Sequence, residues 1–385
     1  MSEPTITDVT GGAAGLAAAY DAVRRLADLF DLAGSELRDW AGLGVRTLTE
    51  PGLTLSAPLS PASFAAAEVA VLAATTGSGG VLAESLRWEA DAVLVRVAIT
   101  GLEVTDRMVE ARLKLVVDPV RRASVLSLLY GGDGRPAVSR RGRRSSTPPD
   151  DLTDLVRHLA EVARLSDTPD SPDNGTIEIQ TVGRADRARH IVYLPGTDDM
   201  TTLPWTQDDD VRDLAANLLL YAGHPNSHQQ GILAAMHDAG IAADDPVLLV
   251  GHSQGGMAAA AILSQGSDFN VTHVVTAGSP TAQVPAFPDG THVLSLEHEG
   301  DVVPAVDLAP NPDSVEQVTV TFAGSDGPRG IEGMHAYAHY EAGAAVTAAS
   351  PDPSIQEQLT SLQTSGFLGT TGPATSEVFQ ITRQP

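Results

Sequence analysis

A strand pattern, a glycine-rich turn and a helix pattern follow one another without a break in the second half of the chain. Residues Pro246–Val250 read PVLLV, and GHSQGG and then MAAAAIL come directly after them. An uninterrupted apolar run is typical of a buried strand, and Ala, Met and Leu are strong helix formers. Gly251 and Gly255, two residues before and after Ser253, leave room where the two backbones approach each other. The sequence therefore predicts a sharp strand-to-helix turn that carries Ser253.

This strand is one of several strand-like runs that alternate with helical ones. The other strand-like runs are TIEIQTV (176–182), HIVYLPG (190–196), VTHVVTA (271–277), THVLSLEH (291–298) and VEQVTVTFAG (315–324), and helical patterns cover 211–221 and 231–239. Apolar strands that alternate with helices are typical of a parallel sheet with helices on both faces. The predicted fold class is therefore α/β, with a mostly parallel sheet.

Charge is distributed unevenly along the 385 residues. The formal net charge is −25, yet residues 1–150 hold 16 Lys and Arg against 18 Asp and Glu, which leaves a net charge of −23 for residues 151–385. Negative charge of this size repels phosphate at long range, which argues against nucleic acid or an anionic membrane as a partner. Cysteine is absent, so any covalent catalysis would have to use an oxygen or nitrogen nucleophile.

The first part of the chain has a helical pattern instead. Tyr20, Val23, Ala27 and Phe30 recur at spacings of three and four, which places them on one stripe of a helix. A chain of this length suits about two domains. We therefore predict an all-α helical N-terminal domain over residues 1–130 that precedes the α/β part.

Composition sets the remaining predicted boundaries. Residues 131–170 begin with Gly, Pro and Ser around four arginines at 140–144, without an apolar period, and are predicted to form a linker and a connecting helix. Residues 351–385 are rich in Ser, Thr, Gln, Gly and Pro and are predicted to form an irregular tail. The predicted α/β domain, residues 171–350, lies between them.

The N-terminal region carries a short motif with a known parallel. Trp40-Ala41-Gly42, after the first helical stripe, resembles the Trp-x-Gly turn of the small helical-hairpin proteins that actinobacterial type VII systems secrete. The resemblance implies a type VII secretion partner and export by that route, and the alternative is a helical domain that packs on its neighbour. The sequence shows neither a signal-peptide pattern nor an apolar run of about 18 residues, so we expect no integral membrane segment and a cytoplasmic or type VII-secreted protein.

The turn at Ser253 supports a more extensive resemblance. GHSQGG, with its flanking strand and helix, resembles the nucleophile elbow of the α/β-hydrolase superfamily, in its lipase and esterase branch, over residues 171–350. The resemblance implies that Ser253 is the nucleophile and that an acid and then a histidine follow along the chain. Asp301, in the Asp-x-Val-Pro sequence after a later strand, has the form in which many lipases present the acid. Asp307 and Asp313, further along the same connection, are the rivals.

Two histidines compete for the third position. His335 comes first after the last predicted strand, in an H-x-x-x-x-Y arrangement that resembles the place where related lipases carry the histidine, and His339 is the alternative. A pair of histidines four residues apart could also bind zinc on one helix face. The pair lacks the adjacent glutamate of an H-E-x-x-H motif and a third ligand, so no metal and no cofactor are predicted.

The resemblance also implies an oxyanion hole made of two backbone N–H groups. One belongs to the residue after the nucleophile, here Gln254, at the start of the helix. The other comes from the loop after an early strand, where Pro195-Gly196 resembles the His-Gly loop of lipases with proline in place of histidine, and Thr197 is the expected donor.

Together these resemblances imply a serine esterase or lipase-like enzyme. Ser253, Asp301 and His335 would form the catalytic triad and cleave a small-molecule carboxylic ester through an acyl-enzyme. Two alternatives stay open: a secretion-associated interaction protein whose hydrolase half is a scaffold, and an acyltransferase that uses the same triad. Acyl and alcohol specificity and the oligomeric state are not determined by the sequence.

Overall fold

The structure is a computed structural model. It describes residues 4–77, 79–86, 88, 92, 133–166, 172–184, 187–199, 207–221, 223–304, 310–324, 328 and 331–384. Nine strands are formed by the described residues: β1 (Thr5–Gly11), β2 (Arg135–Ser146), β3 (Thr176–Val182), β4 (Arg189–Leu194), β5 (Pro246–His252), β6 (Asn270–Ala277), β7 (His292–His298), β8 (Gln317–Ala323) and β9 (Ala374–Gln384). They make one sheet in the order β1-β8-β7-β6-β5-β4-β3-β9-β2.

The helices of the described residues are α1 (Ala13–Thr47), α2 (Pro51–Ser56), α3 (Pro61–Thr76), α4 (Leu152–Ala163), α5 (Leu214–Tyr221), α6 (Ser227–Asp238), α7 (Gln254–Gln265), the short α8 (Ile331–Met334), α9 (Tyr337–Ala348) and α10 (Pro353–Thr364). Strands β4 to β8 are parallel to one another. β3 is antiparallel to β4 and β9, and the edge strands β1 and β2 are antiparallel to their neighbours. This mixed sheet confirms the α/β class and is consistent with an α/β-hydrolase-like fold.

Helices cover both faces of the sheet because its central strands are apolar on both sides. In β5, Leu248 and Val250 belong to one core cluster, together with buried residues of α4, α9 and α10. The alternate residues Val247 and Leu249 belong to a second cluster, with residues of α6 and α7. Successive side chains of a strand point to opposite faces, so the run PVLLV contributes to both cores.

The predicted linker and the predicted irregular tail are wrong. Residues 135–146 form β2, and residues 353–364 and 374–384 form α10 and β9. β2 pairs with β9 along its whole length. Arg140 of the presumed loop lies 2.9 Å from Glu377 of β9. The strand β2 has no apolar period of its own because it lies at the edge of the sheet, where its partner is β9, and β9 lies between β2 and β3.

The predicted helical N-terminal domain needs a correction at its start. Residues 5–11 form β1 and pair with β8, so the first residues belong to the sheet. The described residues between 17 and 92 belong to a separate compact unit, which contains most of α1 and all of α2 and α3. Residues 93–132, which include the predicted boundary at 130, lie outside the described residues. The predicted all-α domain of residues 1–130 is therefore wrong for residues 5–11, which form β1. For the rest of this range it stays a prediction.

The Trp-x-Gly motif does not form the expected turn. Trp40, Ala41 and Gly42 lie inside α1, which continues to Thr47, and Trp40 is 67% exposed. A glycine costs about 1 kcal/mol in a helix interior, which the surrounding helix formers offset. The type VII resemblance therefore loses the structural feature on which it depended.

In the part of the chain that the structure describes, one helical segment, which starts with α3 and is bounded by Pro61 and Leu86, is long and apolar enough to cross a membrane by length and composition alone. A core helix of a soluble protein passes the same test. The expectation that the chain has no integral membrane segment therefore stays a prediction.

Candidate active site

Ser253 lies at the sharp turn between β5 and α7. Its backbone has φ 51° and ψ −120°, and among the described residues it is the only non-glycine residue with a positive φ. A side chain in this region of backbone space is strained, and such strain persists only where the surrounding structure holds it. The N–H of Ser253 donates to the carbonyl oxygen of Ala277 at 3.0 Å, which ties the turn to the end of β6. The residue itself is partly exposed.

The glycines on either side of Ser253 are required by close backbone contact. A Cβ on Gly251 would lie 2.3 Å from the backbone of Gly255 and Gly256, and a Cβ on Gly255 would lie 1.9 Å from the carbonyl oxygen of Leu194. Both distances are far below any van der Waals contact between these atoms. The turn therefore presses α7 against the ends of β4 and β5, and Ser253 is held at its tip.

Asp301 and His335 are brought together from separate loops. Asp301 follows β7 and His335 follows α8, and the Nδ1 of His335 donates to the Oδ2 of Asp301 at 2.5 Å. The Asp301 side chain is fully buried, and its other oxygen, Oδ1, accepts from the N–H of Val303 at 2.9 Å. Since Nδ1 carries the shared proton, Nε2 of the neutral ring is left as the basic nitrogen.

The basic nitrogen of His335 has no hydrogen-bond partner among the residues that the structure describes. The hydroxyl of Ser253 is therefore not hydrogen-bonded to it. Ser253 and the imidazole of His335 nonetheless lie at the same end of the sheet. The ring of His252, the residue before Ser253, has its centroid 4.4 Å from that of His335. Hydrogen bonds between a nucleophile and its base are often long in ligand-free enzymes.

The competing residues lie elsewhere. His339 is buried, and its Nε2 donates to the carbonyl oxygen of Pro328 at 2.7 Å rather than to a carboxylate. Asp313 is exposed, and Asp307 lies outside the described residues. His335 and His339 thus bond different groups.

Two buried rings hold the Asp301–His335 pair, and neither was identified from the sequence. Tyr340, fully buried on α9, donates its hydroxyl to Asp301 Oδ2 at 2.5 Å. The Nε2 of His252 lies 3.0 Å from the backbone carbonyl oxygen of His335, and since a carbonyl only accepts, this nitrogen carries the proton. Burial, and next the neighbouring His335, hold the pKa of His252 well below its usual value of 6.5. His252 is therefore neutral at physiological pH, and its Nε2–H holds the backbone carbonyl of His335.

The loop after β4 lies directly beside the serine. A Cβ on Gly196 would lie 3.2 Å from the Cβ of Ser253. The N–H of Gly196 donates to the hydroxyl of Tyr337 at 3.1 Å, and the hydroxyl of Thr197 accepts from the Asn217 amide at 2.9 Å. Among the described residues, the backbone N–H groups of Thr197 and Gln254 have no acceptor.

Comparisons with known proteins do not assign this chain to a family. No family model matches the chain, and no curated protein matches it. Among solved structures, the crystal structure of Lip2 lipase from Yarrowia lipolytica is similar over 48% of this chain and 89% of that chain, at 13% sequence identity and a TM-score of 0.23. The function must therefore be inferred from the geometry of the site.

Proposed function

We propose that the protein is a serine hydrolase that cleaves a carboxylic ester through an acyl-enzyme on Ser253. The observation that carries this proposal is the strained backbone of Ser253 at a strand-to-helix turn, at the same end of the sheet as a hydrogen-bonded Asp301–His335 pair. Strain of this kind is retained at functional sites, and it exposes the hydroxyl at the tip of the turn. A glycine-rich turn without a function would not require a non-glycine residue at φ 51°.

The proposed chemistry assigns one task to each member of the triad. Nε2 of His335 takes the proton of the Ser253 hydroxyl as the serine oxygen attacks the ester carbonyl. The carboxylate of Asp301 holds the imidazole in the required tautomer and stabilises its positive charge. The same His335 then protonates the departing alcohol, and a water molecule, activated in turn by His335, hydrolyses the acyl-enzyme and regenerates Ser253.

The negative charge that develops on the carbonyl oxygen is assigned to the backbone N–H groups of Gln254 and Thr197. Gln254 is the first residue of α7, where the helix dipole also favours negative charge. Neither N–H has an acceptor among the described residues, which leaves both available to a substrate. Preorganised donors of this kind are usually the largest electrostatic term in acyl transfer.

The substrate class proposed is a neutral ester. Residues 151–385, which contain the whole site, have a net charge of −23. A field of this sign disfavours a strongly anionic substrate or membrane surface.

The test is hydrolysis of p-nitrophenyl esters with short, medium and long acyl chains. We expect wild-type protein to release p-nitrophenol, and Ser253→Ala, with an unchanged circular dichroism spectrum, to fall to the background rate. A control with added acceptor alcohol separates hydrolysis from acyl transfer, since a transferase forms the new ester in preference to the free acid. Equal rates for wild type and Ser253→Ala would exclude the proposed nucleophile.

A further inference from the structure

A buried arginine is attached to the loop that carries Thr197. Arg212 is 1% exposed, and its Nη1 donates to the carbonyl oxygen of Gly196 at 2.7 Å. Its Nη2 lies 2.6 Å from Asp198 Oδ2 and also donates to the hydroxyl of Ser166. Two parts of one side chain thus hold both ends of the three-residue segment from Gly196 to Asp198.

The backbone of Arg212 holds the same segment. The N–H of Asp198 donates to the backbone carbonyl oxygen of Arg212 at 2.7 Å, and the N–H of Asp199 donates to the same oxygen at 3.3 Å. The side chain of Asp198 is itself buried, and its Oδ2 accepts from the N–H of Gly175 at 2.9 Å. The position of the loop after β4 is therefore set largely by one residue, 16 positions after Gly196.

The direction of the Thr197 N–H follows from the contact at Gly196. The Gly196–Thr197 peptide is trans. A trans peptide is planar, and its C=O and N–H point in opposite directions. When the guanidinium of Arg212 holds the Gly196 carbonyl on one side, the N–H of Thr197 has to point to the other side. A cation on the carbonyl also polarises the peptide, which strengthens the N–H as a donor.

The other polar group of Gly196 is fixed as well. Its N–H donates to the Tyr337 hydroxyl, and a Cβ built on it would lie 3.2 Å from the Cβ of Ser253. Both peptide planes that flank Gly196 are therefore held, directly beside the proposed nucleophile.

We propose that Arg212 is a positioning residue of the oxyanion hole, which orients and polarises the Thr197 N–H through the Gly196 carbonyl. This inference rests on the proposed function, since it presumes that Thr197 donates to a developing oxyanion. Arg212 does not touch the substrate, and its effect is exerted in the transition state, where the oxyanion forms.

Arg383 provides a matched control in the same group of buried charges. Its Nη1 lies 3.0 Å from Asp213 Oδ2, and its Nη2 lies 2.8 Å from Asp133 Oδ1. Like Arg212 it is almost fully buried, at 7% exposed, but its described contacts do not include Gly196. The effect of losing a buried arginine in general can therefore be separated from the effect of losing the contact to the Gly196 carbonyl.

The experiment compares Arg212→Gln, Arg212→Lys, Arg383→Gln and Ser253→Ala with wild type on p-nitrophenyl butyrate. We expect Arg212→Gln to lower kcat about 10² fold with KM within about twofold, because one preorganised donor is lost in the transition state. Affinity for an aryl trifluoromethyl ketone, which forms a tetrahedral oxyanion on the serine, should fall by a similar factor. Arg383→Gln should keep kcat within about threefold.

The conservative variant covers the case in which Arg212→Gln does not fold. Arg212→Lys keeps the charge beside Asp198, but a single ammonium cannot reproduce the fork that spans Gly196 and Asp198, so kcat should fall about tenfold. A folded Arg212→Lys or Arg212→Gln with wild-type kcat overturns the inference. An increase in KM alone, or an equal loss of kcat in Arg383→Gln, overturns it too.

The Ser253→Ala variant separates the two proposals. If Ser253→Ala is inactive and the Arg212 variants retain wild-type kcat, only the inference about Arg212 fails. If Ser253→Ala retains the wild-type rate, the proposed function fails, and the inference fails with it.

Discussion

The hydroxyl of Tyr340 and the Nδ1 of His335 donate to the same oxygen atom, Oδ2 of Asp301, each at 2.5 Å. Tyr340 is five residues after His335, fully buried on α9, and its pKa is raised well above 10 by burial and next by the Asp301 charge. It therefore stays a hydroxyl donor at any working pH. A carboxylate that accepts two side-chain hydrogen bonds and one backbone hydrogen bond is fixed in position, and so is the imidazole that it holds.

This relationship predicts a selective effect of Tyr340→Phe. The phenyl ring keeps the packing, whereas Asp301 loses a hydrogen bond to a charged acceptor, worth about 1.5–3 kcal/mol. We expect kcat/KM to fall about tenfold. Tyr193→Phe is the matched control, because Tyr193 is equally buried and its hydroxyl donates to the neutral Gln180 Oε1 at 3.3 Å. Steady-state kinetics that show an equal loss of kcat/KM in both variants would mean that the loss is a general cost of removing a buried hydroxyl and not an effect on Asp301.

The choice between the two histidines is testable in the same way. His335→Gln should lower the rate of ester cleavage by about 10³ to 10⁴ fold, since the proposed general base is removed. His339→Gln keeps an amide that can donate to the Pro328 carbonyl, and it should keep most of the activity. The measurement is kcat/KM for both variants after their circular dichroism spectra have been matched. Loss confined to His339→Gln would transfer the role to that residue.

The elbow predicts a steric limit at Gly255. A Cβ there would meet the Leu194 carbonyl oxygen at 1.9 Å, so Gly255→Ala should lower the free energy of unfolding by about 2 kcal/mol or more and displace Ser253. Gly142→Ala, in β2, is the control, because a Cβ at that position meets nothing within 4 Å. Denaturant unfolding compares the two. Equal stability of both variants would show that the backbones at the elbow are less closely packed than described.

Asp210 predicts a pH dependence of stability. Burial, and next the charge of Asp198, raise its pKa from 3.8 to about 7. A carboxyl whose pKa is raised by folding stabilises the fold most below its unfolded pKa, and the contribution is lost as the pH rises through the folded pKa, here about 7. Asp210→Asn should therefore gain stability relative to wild type between about pH 5 and about pH 8.

Denaturant unfolding at the two pH values measures that gain. Asp313→Asn is the control, because Asp313 is exposed and its replacement should give no such trend. A difference between Asp210→Asn and wild type that is constant, or larger at the lower pH, would contradict the assigned ionisation of Asp210.

The central part of the fold could be predicted because its signals are local. Each of the strands β3 to β8 lies within or close to one of the predicted strand-like runs, and the turn at Ser253 is marked by glycines two residues away on either side. The edge strand β2 could not be recognised, since the acidic side chains that pair with its arginines are far away in sequence. Arg144, for example, lies 3.0 Å from Glu178 of β3.

The contacts around the site were less accessible to sequence reasoning than its proposed members. The order of Ser253, Asp301 and His335 along the chain matches the order implied by the α/β-hydrolase resemblance, and the structure joins the last two by a hydrogen bond. Arg212 carries no local signal, because its burial depends on Asp198 and on the Gly196 carbonyl. The H-x-x-x-x-Y spacing that pointed to His335 does contain Tyr340, whose role became visible only in its contact with Asp301.

Covalent labelling with a fluorophosphonate, followed by peptide mass spectrometry, tests the proposed nucleophile most directly. The reagent phosphonylates a serine only where a base and an oxyanion hole activate it. We predict a single adduct on the peptide that contains Ser253, no adduct in folded Ser253→Ala, and strongly slowed labelling in His335→Gln. Folded wild-type protein that fails to label, or Ser253→Ala that labels as fast as wild type, would contradict the proposal.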